Sequence, residues 1–126
     1  MCRLCDSNNG FTLMEVLFAM LILTVGLLGT AALITGVINS NKLSNRISTA
    51  TILAQDKMEE IRGVGYAGAD AEAGTEGYNI IPNYLLYKRI TAVVAGDPAA
   101  GMKKITVTVY WDSDAHSVVL NTILAE

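Results

Sequence analysis

The chain has little of the residues that stop a helix, staple a small fold or bind nucleic acid. It holds two prolines in 126 residues, Pro82 and Pro98, so no proline interrupts the first 81 positions. Its two cysteines, Cys2 and Cys5, both precede Gly10, which leaves no disulfide for the rest of the sequence. A CxxC pair can be a zinc half-site or a redox pair, but no second pair completes four-coordinate zinc. A lipoprotein signal is excluded because no apolar segment precedes either cysteine. Charge is also thin, at 17% of residues with a net of -3 and no basic cluster. Nucleic-acid binding needs clustered Lys and Arg with interleaved aromatics, so no nucleic-acid partner is expected.

An enzyme is excluded on similar grounds. The only histidine is His116, beside Ser117 in a turn-to-strand segment, and no acid is placed by a recognisable motif to orient it. No Gly-rich phosphate loop or nucleophile elbow is present. No catalytic residue, cofactor or metal is therefore assigned. Asp112 and Asp114 could seed a calcium site, but with a single spacing and no third acid nearby they read as turn residues.

Apolar residues are abundant, at 52% with a mean hydropathy of +0.40, and the excess lies between Phe11 and Val37. From Val16 to Val37 there is no charge, only Thr24, Thr30 and Thr35 among apolar residues and glycines. About 20 apolar residues cross the hydrocarbon core as a helix, so the run is long enough. Gly26, Gly29 and Gly36 allow close helix approach; Gly26 and Gly29 either serve that packing or soften the helix locally.

The helical pattern continues past the run. Leu43, Ile47, Ala50, Ala54, Met58 and Ile61 form an apolar stripe. Lys42, Asn45, Arg46, Thr49, Asp56, Lys57 and Glu60 form a solvated face. At i,i+4, Asp56–Glu60 is repulsive and Lys57–Ile61 is no charge pair. Gly63 and Gly65 supply the stop. One helix from Thr12 to Arg62 would be about 75 Å long, apolar all round in its first half and one-sided in its second.

The Gly- and Ala-rich stretch after it reads as a loop. Tyr84 to Val94 is β-prone, and Ile105, Val107, Val109 and Trp111 alternate with polar residues in the clearest strand. Asp112-Ser113-Asp114-Ala115 is turn chemistry leading to a strand with Val118, Leu120 and Leu124 on one face. Three or four antiparallel strands then pack on the stripe of the second half-helix. The expected class is α+β. Residues 1–10 form a polar prefix, 11–38 an apolar half-helix, 39–62 an amphipathic half, 63–83 a loop and 84–126 a β head.

One residue resists this account. Glu15 stands at the front of the apolar run, where a carboxylate costs about 2.5–3.5 kcal/mol at the centre of a bilayer and less near its edge. No Lys or Arg lies between Arg3 and Lys42 to meet it. A cleavable secretory signal ending near Thr30-Ala31-Ala32 explains it poorly, because the run exceeds the usual 7–15 apolar residues and the helical pattern continues beyond that site. A new α-amino group at Phe11, released by cleavage after Gly10, would supply the missing cation.

Gly10-Phe11-Thr12-Leu13-Met14-Glu15-Val16-Leu17 closely resembles the class III signal of type IV prepilins and type II secretion pseudopilins. The resemblance implies a pilin fold, with residues 1–10 a leader. It implies cleavage between Gly10 and Phe11 by a membrane-embedded prepilin peptidase, N-methylation of Phe11, and anchorage in the bacterial inner membrane with the head outside the cytoplasm. It further implies an assembly platform in that membrane and a filament of other minor and major pilins, in which Glu15 neutralises a neighbour's Phe11 amine and sets axial register. The leader departs from the family in having only Arg3 as a basic residue. Lys42 and Arg46 follow the apolar run, so loop charge does not favour that orientation. The membrane half also lacks a kinking proline, and the head lacks a disulfide.

Ile52-Leu53-Ala54-Gln55-Asp56-Lys57-Met58-Glu59-Glu60-Ile61-Arg62 and the closing Val107–Trp111 and Val118–Thr122 segments are similar to PilV-type minor pilins. They also resemble the minor pseudopilin I subunits of type II secretion. The expected role is a minor pilin that primes assembly or sits at the tip; the alternative is a minor pseudopilin.

Overall fold

The computed structural model describes residues 10–126. They fall into two compact units that divide between Asn41 and Lys42. One helix, α1 (Leu13–Gly68), contributes to both. A short 3-10 turn (Ala69–Glu72) follows, then four strands: β1 (Gly74–Glu76), β2 (Tyr87–Ala95), β3 (Met102–Trp111) and β4 (His116–Ala125). The sheet is antiparallel throughout, in the order β1-β2-β3-β4. The long N-terminal helix and the antiparallel sheet make an α+β, pilin-like fold.

In the first unit every described side chain is exposed. The three threonines of the apolar run turn their hydroxyls back onto the helix. Thr24 donates to the carbonyls of Met20 (2.7 Å) and Leu21 (2.9 Å), Thr30 to Leu27 (2.9 Å) and Thr35 to Ala31 (3.1 Å). A helix in lipid must satisfy its polar groups internally, and these bonds do so. The helix is regular through Gly26, Gly29 and Gly36; only Gly65 leaves helical geometry. A Cβ at any of those three glycines would meet nothing within 4 Å. Their smallness therefore serves no packing inside the described chain.

In the second unit α1 buries Ala50, Leu53, Ala54, Met58 and Ile61 against Ile105, Val107, Val109 and Trp111. The alternation in β3 is strict: every second residue from Lys103 to Trp111 is buried. Val118, Leu120 and Leu124 of β4 pack against the same core. Leu43 and Ile47, expected in the stripe, remain exposed. The buried stripe begins at Ala50. The expected stop falls at Gly65, where φ is +74° and a side chain would be strained. Helical residues then resume as far as Gly68.

The Gly- and Ala-rich segment is more ordered than its composition implied, and ion pairs explain why. It has too few large apolar residues to dock by burial, so three cations of the head hold it. Lys57, assigned above to the solvated face, is buried, with Nζ 2.6 Å from Glu72 and 3.0 Å from Glu60. Arg89 is buried in β2, donating to the Leu53 carbonyl (3.0 Å) and pairing through Nε with Glu76. Lys103 donates to the Tyr66 carbonyl (2.7 Å) and to Asp70 (2.8 Å), and lies 4.3 Å from the Tyr66 ring centroid. Asp70, Glu72 and Glu76 thus tie the segment to the helix and sheet. Such pairs fix one arrangement more than they add net stability.

This arrangement has a pH signature. Arg89 holds the Glu76 carboxyl below its ordinary value of 4.5, against the opposing effect of burial. A carboxyl depressed by folding stabilises the native state above its unfolded pKa, and the gain is lost as pH falls through the folded pKa. Melting of the head should therefore shift downward as pH falls below about 4.5, and Glu76→Gln should flatten that slope. An unchanged slope in the variant would show that the pair contributes nothing.

Candidate functional site: the N-terminal signal segment

Residues 10–12 precede the helix in extended or irregular backbone, and α1 starts at Leu13. Thr12 caps it: its Oγ1 accepts from the Glu15 N–H (3.3 Å), and its carbonyl accepts from the Val16 N–H (3.2 Å). Thr12-Leu13-Met14-Glu15 is therefore a capping-box sequence, S/T-x-x-E. The capping role of Thr12 was legible in that spacing but hidden behind the signal motif. Glu15 occupies the first turn, where the helix dipole favours a negative charge.

The capping explains why the backbone accepts Glu15 here. It does not employ the carboxylate, which has no hydrogen-bond or ion-pair partner among the described residues. Phe11, Glu15, Ala19 and Leu23 follow at steps of four and line one side of the segment. Phe11 is 81% exposed. The site is thus a capped helix end bearing one unpaired carboxylate, one exposed aromatic ring, and a following helix apolar enough to cross a membrane. Cys2, Arg3 and Cys5, in the expected leader, lie outside the described residues.

The family model for the prokaryotic N-terminal methylation motif matches residues 5–31. The N-terminal segment is type IV prepilin-like. The match spans Gly10, Phe11 and Glu15 and most of the apolar run. It implies processing by a prepilin peptidase and assembly with other pilins, and with the single apolar helix it fits an inner-membrane-anchored subunit. No curated protein and no solved structure matches the chain.

The other sequence candidates have structural partners in the head. His116 stacks on Trp111, with ring centroids 5.6 Å apart and planes at 21°. No acid and no hydrogen bond to Ser117 engages it among the described residues. Asp112, Ser113 and Asp114 all have positive φ, from +57° to +67°, as tight hairpin turns require. Both Asp114 oxygens are occupied, by the Tyr78 hydroxyl (2.8 Å) and by Lys88 Nζ (2.6 Å). Lys88 and then Tyr78 hold that carboxyl below its ordinary value. No group of three metal-ligating side chains occurs among the described residues. Asp112 and Asp114 are turn residues here, and the turn is pinned to β2.

Proposed function

We propose that this chain is a minor pilin, a low-abundance subunit that primes a type IV pilus or sits at its tip. The observation that carries the reading is the Glu15 carboxylate, without a partner among the described residues, fifth after a cleavage position and at the head of an apolar helix. Before cleavage nothing near it in sequence can neutralise it; after cleavage between Gly10 and Phe11, every subunit carries one amine and one carboxylate. Each is costly alone in an apolar bundle, and together they are tolerable. Phe11, once methylated, then lies in the filament core with its amine against a neighbour's Glu15, and the head faces outward.

The Ile52–Arg62 stretch supports the minor-pilin reading. Its buried members, Leu53, Ala54, Lys57, Met58 and Ile61, are accounted for by the head's own core and ion pairs. Gln55, Asp56 and Glu59 are exposed, so the similarity to minor pilins extends to residues that the fold does not require. Sheared filaments from a producing host should contain the chain at well below one copy per major subunit, and deleting it should reduce filament number. Stoichiometry equal to the major subunit would overturn the minor role. Normal pili with failed protein secretion would transfer the chain to the pseudopilin class.

A further inference from the structure

The two edges of the sheet differ. β1 is three residues long, and its last residue, Glu76, is tied to Arg89. Short strands and charge are how soluble proteins protect an edge. β4 is ten residues long, His116-Ser-Val-Val-Leu-Asn-Thr-Ile-Leu-Ala125, with no proline and no Asp, Glu, Lys or Arg. Its partner is β3, in unbroken register from Met102–Ala125 to Trp111–His116. In an antiparallel ladder every second residue turns its N–H and C=O away from the partner. Among the described residues no backbone group of 116–125 bonds to anything beyond that ladder. Val119 and Ile123, on the outer face of the same strand, are more than half exposed.

We infer that the β4 edge is a docking site for an extended edge strand of a different prepilin-type subunit, paired antiparallel to β4. This rests on the filament-subunit reading above. The unmet groups are backbone donors and acceptors in a straight row, so an extended strand is what completes them. The absence of charge along β4 asks for a strand equally free of it.

Polarity excludes a second copy paired through its own β4. Three contacts fix the direction of α1 in the head: Tyr87 Oη lies 3.5 Å from the Arg46 carbonyl, Arg89 bonds to the Leu53 carbonyl, and Lys103 bonds to the Tyr66 carbonyl. Tyr87 and Arg89 start β2, while Lys103 pairs with Ala95 at its end. The helix therefore runs with β2, and so does β4, since both are antiparallel to β3. Antiparallel β4–β4 pairing of two copies would turn their helices in opposite directions. Parallel β4–β4 pairing would put the helices on opposite faces of the sheet. Neither places the two head helices parallel on one face of a joined sheet. A strand that runs against its own helix does allow it. In this fold the edge strand of that sense is β1, here only three residues. The partner therefore carries a longer strand at that edge.

The test uses the full chain in cells that produce other prepilin-type subunits, with a photo-cross-linking residue at exposed Ser117. The expected product is an adduct with another prepilin-type subunit, lost in Val119→Lys and retained in Val119→Thr, with Trp111 fluorescence unchanged in both. Adducts only with a second copy, no adduct, or an undiminished adduct in Val119→Lys would overturn the inference. Its failure separates from that of the minor-pilin reading. An adduct in membranes from a chain that never enters filaments leaves the edge standing and removes the reading. Entry into filaments with no adduct does the reverse.

Discussion

Glu15→Ala should leave the chain in the membrane and still cleaved, yet remove it from filaments. Insertion should if anything improve, because the substitution removes a carboxylate from an apolar segment. The helix start should hold, because the cap uses the Thr12 hydroxyl and the Glu15 backbone N–H rather than its side chain. Assembly is where the loss falls. Breaking a buried pair by deleting one partner costs about 3–5 kcal/mol, since the other charge stays buried and uncompensated. At about 1.4 kcal/mol per decade that is a fall of roughly two to four orders of magnitude in incorporation. Glu15→Gln should fail nearly as badly, because it keeps shape but not charge. Quantifying the chain in membrane and filament fractions checks both variants. Incorporation of Glu15→Ala at the normal level would remove the basis for the charge-pair reading.

Ile61→Ala should destabilise the head more than any substitution on its solvated face. Ile61 is fully buried, in one cluster with Leu53, Met58, Ile105, Val107 and Trp111. Truncating a buried isoleucine costs about 2–5 kcal/mol through lost transfer energy and the cavity left behind. For a unit of this size each kcal/mol lowers Tm by about 4–8 °C, so a drop of roughly 10–40 °C is expected. Trp111 is the only tryptophan and lies in the same cluster, so its fluorescence in detergent-solubilised full chain follows the transition. Val119→Ala, on an exposed position, should change Tm by no more than a few degrees. Equal effects of the two would mean that the stripe does not anchor the sheet.

The elements that sequence reading located best were those carried by periodicity. The β3 alternation and the Ala50–Ile61 stripe are repeating patterns whose apolar face admits one solution. The N-terminal signal was legible for a different reason. Gly10, Phe11 and Glu15 form a motif, and Glu15 is costly wherever it is not paired. What escaped was the role of charge inside the head. Lys57 sits at a polar position beside Asp56, and nothing local distinguishes it from a solvated lysine. Its partner Glu72 is 15 residues away, in a segment whose composition resembles a loop. Arg89 stands between Lys88 and Ile90 and Lys103 between Met102 and Lys104, and their carbonyl partners, Leu53 and Tyr66, belong to α1. Such pairs depend on long-range register, which single-sequence patterns do not carry. β1 was missed with them, since three residues, Gly-Thr-Glu, hold too little pattern to mark a strand.

Gly26 and Gly29 also read differently beside the structure. Softening was one expectation, yet the helix is regular there and a Cβ at either would meet nothing. Close approach by other helices is the remaining use for their small size, which belongs with a stem built to be packed by neighbours.

The claim on which the rest depends is that the working chain begins at Phe11. Mass spectrometry of the N-terminal peptide, from chain recovered out of membranes and filaments, tests it directly. A peptide starting at N-methylated Phe11 is the expected result. A peptide starting at Met1 in filaments, or a cut near Thr30-Ala31-Ala32, would contradict it.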